Sequence, residues 1–199
     1  MHDSCVDADA ARVAQDLSEA AGRHALALAG GTACALRLGH RISRDLDFFA
    51  LRALDPPALL GDLAPLAEQR LRGISDKEIA VVVRGVKVSA TSLGRPPLEP
   101  PDEWNGISVL SAIDLAELKV EASVRRGMVR DLCDLHLLCL GGADLETALR
   151  ASPIDAVVAL QALSDIERFQ GQPELELRRP WSLEEAVRYF AAEARRLLG

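Results

Sequence analysis

A chain of 199 residues, 49% hydrophobic and 27% charged, can bury one substantial core or two small lobes, which excludes an intrinsically disordered protein. Its net charge of −7 disfavours broad electrostatic binding to nucleic acid. The opening residues Met1 to Asp7 carry neither a basic region nor an apolar core, and no apolar run approaches the ~20 residues of a membrane span, so a cytoplasmic protein without membrane contact is expected.

Asp7 through Glu19 reads as a helix with Ala8, Ala11, Val13, Leu17 and Ala20 as its apolar stripe, closed by Gly22. Ala25 to Ala29 reads as a buried strand ending in Gly30-Gly31. Two glycines there let the backbone turn sharply and let a ligand approach without meeting Cβ atoms. Thr32 then reads as the first residue of a helix through Leu38, whose free N–H groups would point at an anion. An extended segment follows with Asp45 and Asp47 on one face and Leu46 and Phe48 on the other. A rise of about 3.3 Å per residue puts the two aspartate Cα atoms roughly 6.5 Å apart. That suits carboxylates sharing one or two hard cations, which in paired sites sit ~3.5–4 Å apart. Taken singly, each half has an ordinary reading: a turn after a strand, and a solvated acidic face.

Pro56-Pro57 suits the start of a helix to about Arg72, burying Leu59, Leu60, Leu63, Leu66 and Leu71 and stopped by Gly73. Glu78 to Arg84 is a strand, since Ile79 to Val83 is apolar and largely β-branched. Gly85 makes a tight turn, and Val86 to Leu93 returns as the next strand. Residues 21–93 thus read strand, helix, strand, helix, strand, strand: a small α/β unit with a mixed sheet. Gly94 to Asn105, with Pro96, Pro97, Pro100 and Pro101, reads as a linker without regular structure, and Ile107 to Leu110 as a short strand. Beyond lie helices over Ile113–Arg126, Val129–Leu140 and Asp144–Arg150, one opened by Ser152-Pro153 and running to about Arg168, and a last one from the capping box Ser182–Glu185 to Leu198. The expected division is a core over residues 1–95 and a helical lobe over 106–199. Cys5, Cys34, Cys133 and Cys139 have no metal-ligand spacing and read as buried free thiols.

Gly30-Gly31, a gap of 13 residues, then Asp45-Leu46-Asp47 between apolar neighbours resemble the signature of the DNA-polymerase-β-like nucleotidyltransferase superfamily. More narrowly, Leu28-Ala-Gly-Gly-Thr-Ala-Cys-Ala-Leu36 joined to His40-Arg-Ile-Ser-Arg-Asp-Leu-Asp-Phe-Phe49 is similar to the AbiEii/AbiGii toxins, nucleotidyltransferases of bacterial toxin–antitoxin and phage-defence systems. A second block, Asp114 to Lys119 and Arg125-Arg126-Gly127 to Asp131 and Asp134, resembles that family's helix lysine, Arg-Gly turn and Asp-x-x-Asp helix start.

The resemblance implies an α/β (α+β) nucleotidyltransferase core followed by a C-terminal helical lobe. It implies Mg²⁺ or Mn²⁺ on Asp45 and Asp47, an NTP substrate, an RNA or protein hydroxyl as acceptor, and a cognate antitoxin as partner. Gly30, Gly31, Thr32 and Arg44 would contact the nucleotide, Lys119 its phosphates, and Asp131 would be a functional acid. All of these are expected to serve one cleft. Arg37, Arg41 and Arg44 flank the acidic strand as a local positive rim, and Arg125, Arg126 and Arg130 form a second group. Lysine suits its place because a compact cation can follow charge into the transition state.

One position departs from the pattern. Catalytic members of the superfamily usually carry a third acid on the strand after the crossover helix, and here that strand offers Lys87 or Ser89. Glu78 on the neighbouring strand substitutes only if its face matches. The competing expectation is therefore a nucleotide-binding or interaction protein of the same fold with impaired catalysis. His40 lies near the acidic strand, His24 and His136 read as packing histidines, and Trp104 and Trp181 as seals at the core edge.

Overall fold

The computed structural model describes residues 1–64, 66 and 70–199, and the chain divides into two compact units, Met1–Ser111 and Ala112–Gly199. The first unit runs α1 (Ala8–Arg23), β1 (Leu26–Leu28), α2 (Gly30–Leu38), β2 (Leu46–Ala50), α3 (Pro56–Leu63), β3 (Arg70–Ile74), β4 (Glu78–Val83), β5 (Val86–Ser92), β6 (Asp102–Trp104) and β7 (Ile107–Val109). Its strands form one mixed sheet in the order β3-β4-β5-β2-β1-β7-β6, with β2 parallel to β5 and β1 parallel to β7.

The apolar pattern of the sheet decides where the polar residues go. Leu46, Phe48 and Ala50 are buried, as are Ile79, Val81 and Val83 on β4 and Val86, Val88 and Ala90 on β5. Leu17 and Ala21 of α1 and Leu59 and Leu63 of α3 pack against that side. Each large apolar side chain so buried contributes roughly 1.5–3 kcal/mol, and a one-residue slip would turn the whole set to solvent. The register is therefore firm: Asp47 lies opposite Ser89, Ser89 opposite Ala80, and Val82 opposite Lys87. All five are on the face away from the core.

Several expectations are corrected. α1 runs through Gly22 to Arg23, because Ala20 and Ala21 are buried and tertiary packing outweighs one glycine; Ala10 and Ala14 take the core places expected for Ala8 and Ala11. α2 begins at Gly30, not Thr32. The helix expected to reach Arg72 ends at Leu63, and β3 occupies Arg70–Ile74 with a bulge between Leu71 and Gly73; residues 65 and 67–69 of that expectation lie outside the described residues. There β4 provides a ladder for the segment, and Leu71 ends up exposed. The proline-rich stretch read as linker contains β6, which pairs with β7 through Asn105-Gly106, both at positive φ. That Asn-Gly pair is a two-residue hairpin signal.

The second unit is helical: α4 (Ala112–Arg126), α5 (Val129–Leu140), α6 (Leu145–Ala151), α7 (Ala156–Ser164) and α8 (Leu183–Leu198). α7 starts on Asp155, whose carboxylate accepts from the N–H groups of Val157 and Val158, rather than at Ser152-Pro153, and a separate 3₁₀ turn covers Ile166–Arg168. Ser182 caps α8 by accepting from Glu185 N–H at 3.2 Å, as the capping box predicts. Among the described residues no helix is long and apolar enough to cross a membrane.

Candidate active site

The glycine turn and the acidic strand of the first unit interlock. Ala29 N–H donates to the Asp47 carbonyl at 2.7 Å, tying the residue before the glycines to β2. Gly30 has φ +56°, and a Cβ there would fall onto the Asp47 carboxylate and within 2.8 Å of Asp47 Cβ. Both the backbone conformation and the close approach require glycine. A Cβ on Gly31 would lie 2.5 Å from a terminal nitrogen of Arg41 and 3.3 Å from Ser43 Oγ, so the Arg41 guanidinium covers the second glycine.

Ala29 caps α2 without a side-chain hydrogen bond, so the N–H groups of Gly30, Gly31 and Thr32 have no intrahelical acceptor. With the helix dipole they favour an anion at this end. Thr32 is buried; its hydroxyl donates to the Asp45 carbonyl and shares a hydrogen bond with Ser43 Oγ at 2.8 Å. That side chain places the backbone of Asp45, leaving only its N–H to face a ligand. Asp45 sits just before β2 and is exposed, and Asp47 is half-buried. Asp47 Oδ1 accepts from Ser89 Oγ at 2.7 Å. Arg44 is exposed, whereas Arg37 is engaged with the Leu110 carbonyl at 2.8 Å and with Asp102 at 2.6 Å.

The donor set fits one hard cation. Mg²⁺ is typically held by one or two carboxylates, with water and substrate phosphate oxygens completing its shell. Asp45 and Asp47 meet that need, while among the described residues no group of three or more His, Cys, Asp or Glu side chains is placed to hold a metal.

The second unit carries a different constellation. Lys119 of α4 reaches Asp131 Oδ1 at 2.8 Å and Asp134 Oδ2 at 2.6 Å on α5, and Arg126 lies 3.1 Å from Asp131 Oδ2. Lys119, Asp131 and Asp134 are 5%, 1% and 0% exposed. The turn between the helices, with Gly127 at φ +61°, is clasped by Gln172, which donates to the Gly127 carbonyl at 2.7 Å and accepts from Val129 N–H at 2.9 Å. Deeper along α5, His136 Nδ1 accepts from the Trp181 indole at 3.1 Å, and burial lowers its pKa below the usual histidine value. Burial likewise pushes the Cys139 thiol up to about 12.

Residues 12–97 match the family described as the nucleotidyl transferase AbiEii toxin of type IV toxin–antitoxin systems. Over those residues the chain is similar to an AbiEii-type nucleotidyltransferase domain. An uncharacterized protein of Aquifex aeolicus is 34% identical over 115 residues, and the match spans 56% of each chain, little more than half that relative's length. JHP933 of Helicobacter pylori shares the fold with a TM-score of 0.60 at 17% identity, over 94% of this chain and 89% of its own. So does the nucleotidyltransferase toxin MenT4 of Mycobacterium tuberculosis, with 0.54 at 20% identity over 96% and 86%. The antibiotic-resistance factor ANT(2'')-Ia gives 0.53 at 15% identity over 74% and 89%.

Within the first unit the fold brings Gly30, Gly31, Thr32, Asp45 and Asp47 together through shared hydrogen bonds and contacts, with Arg44 beside them in sequence. Lys119 and Asp131 are paired with each other in the second unit. Three participants were underrated by sequence reasoning. Arg41 was one of three rim arginines, but it alone covers a motif glycine. Ser89, named only as the gap left by a missing acid, is Asp47's hydrogen-bond partner. Asp134 lies nearer Lys119 than Asp131 does, and its i+3 spacing from Asp131 was the available signal.

Proposed function

We propose that this chain is a divalent-metal-dependent nucleotidyltransferase, the toxin of a cytoplasmic toxin–antitoxin pair acting in phage defence, which moves NMP from an NTP to an RNA or protein hydroxyl. The observation that carries the proposal is the interlock of Gly30 with Asp47, which sets a carboxylate beside uncapped helix N–H groups. Those N–H groups of Gly30, Gly31 and Thr32, with Arg41 and Arg44, hold the triphosphate. Asp45 and Asp47 hold Mg²⁺ or Mn²⁺, which when bound neutralises phosphate charge and polarises the α-phosphorus. The acceptor hydroxyl gives its proton to water as its oxygen bonds to that phosphorus, the bond to the bridging oxygen breaks, and pyrophosphate leaves. Lys119 and Asp131 enter the proposal as a phosphate-binding cation and a functional acid, on the match of their motif.

Incubation with α-labelled NTPs, Mg²⁺ and a cell extract tests this. Wild-type protein should label an acid-insoluble product, and Asp45→Ala should not. A folded wild type that transfers label from none of the four NTPs would sink the proposal.

The second reading, a nucleotide binder with impaired catalysis, is favoured by Ser89 standing opposite Asp47 where an acid is expected. Glu78 does share Asp47's face, pairing with Thr91 two residues beyond Ser89. It is nonetheless two strands away from β2, roughly 10 Å at about 4.8 Å per strand. On this reading NTP raises Tm, no label moves, and Glu78→Ala changes nothing. Loss of a measured transfer in Glu78→Ala would end it.

A further inference from the structure

Lys87 is the residue that the proposed reaction leaves unexplained. It is exposed, on the same face as Asp47 and Ser89, and belongs to β5, an interior strand flanked by β4 and β2. Exposed lysines in sheets commonly protect edge strands from pairing, a role an interior strand does not need. The parallel register sets Leu46 beside Val88. One row across β2 and β5 thus holds Asp47 with Ser89, and Asp45 and Lys87 are the residues immediately before the first paired positions, Leu46 and Val88. Among the described residues no ion pair is made by Lys87, although it stands next to a carboxylate row.

We infer that Lys87 is a triphosphate-binding residue that takes over the charge of a second divalent cation, so that the site works with one metal ion. The inference deepens the nucleotidyltransferase reading and rests on it. Two carboxylates, one ammonium and one divalent cation carry the same net charge as three carboxylates with two divalent cations. Replacing the third acid by Lys87 and Ser89 thus removes the ligand for a second ion and its charge together. The Ser89 hydroxyl serves the remaining carboxylate, fixing Asp47 Oδ1 by donation at 2.7 Å. Lysine suits the task, being a point charge on a flexible stem that can follow phosphate oxygens.

The test counts Mn²⁺ by electron paramagnetic resonance and measures affinity by calorimetry, both with a non-hydrolysable NTP on the full chain. One Mn²⁺ per protein is expected. Lys87→Gln should weaken NTP binding about tenfold, as loss of one charge-assisted phosphate contact implies, and Lys87→Arg should largely restore it. Both variants should keep the wild-type circular dichroism, since Lys87 is exposed. Two Mn²⁺ ions on the wild type, or unchanged affinity in a folded Lys87→Gln, would overturn the inference while leaving the transferase reading standing. A wild type that binds neither Mn²⁺ nor NTP would overturn both.

Discussion

The two units hold their charges in opposite ways. In the first, Asp45 is exposed and Asp47 half-buried, and the Asp47 carboxylate accepts a hydrogen bond from Ser89. In the second, Asp131 and Asp134 are almost wholly buried and close around Lys119. Carboxylates left at a surface with an uncapped helix end beside them cost little to keep and are ready for a cation and a phosphate. Carboxylates sealed from water must be compensated within the fold. The first arrangement should govern ligand binding more than stability, and the second should govern stability whatever else it does.

The sharpest way to break this contrast is Lys119→Met. Removing the buried ammonium that the two aspartates share should cost about 3–5 kcal/mol in urea unfolding, the range for breaking a buried pair. A loss under about 1 kcal/mol, the range for exposed pairs, would mean that water reaches the network and the contrast is false. Asp47→Asn provides the opposite arm: it still accepts from Ser89, so the fold should hold. Nucleotide transfer should nonetheless fall at least about a hundredfold, as expected when a metal ligand loses its charge. Gly30→Ala should touch both properties. Its left-handed φ and the Asp47 carboxylate in its path predict a stability loss of about 1–3 kcal/mol and weaker NTP binding. An active, fully stable Gly30→Ala would show that the interlock is not needed.

The smallest effect belongs to His136. Its pKa is lowered by burial, and its Nδ1 accepts the Trp181 N–H, so the folded unit favours the neutral ring. A group whose folded pKa is depressed gives stability that is whole above its unfolded value and is lost as pH falls toward the folded one. Stability should therefore decline below about pH 6.5, with Trp181 fluorescence changing in step, and His136→Gln should flatten that slope. A slope unchanged in His136→Gln would place the titration elsewhere.

The sequence made the motif face of the sheet legible because alternation in Leu46, Phe48, Ile79, Val81 and Val88 leaves little freedom about which side faces the core. The helices α4, α5 and α8 were readable for the same reason and from their ends, Gly127, Gly141 and Ser182. β3 was not, because Arg70–Ile74 is strand only by virtue of its partner β4, a tertiary cause with no local mark. β6 could have been read, since Asn105-Gly106 announces the hairpin, but four nearby prolines argued more loudly. At the site, residue types were evident and partnerships were not. Nothing in the spacing says that the Thr32 hydroxyl holds the Asp45 carbonyl, or that Ser89 stands opposite Asp47. Those depend on strand register, which only the assembled sheet supplies.

The claim beneath all of this is that the Gly30–Thr32 amides and the Asp45–Asp47 carboxylates form one nucleotide site. A crystal soaked with Mg²⁺ and a non-hydrolysable NTP tests it directly. The account predicts phosphate oxygens on those amides and a metal ion held by Asp45 and Asp47; a nucleotide bound elsewhere, with the two aspartates carrying no metal, would contradict it.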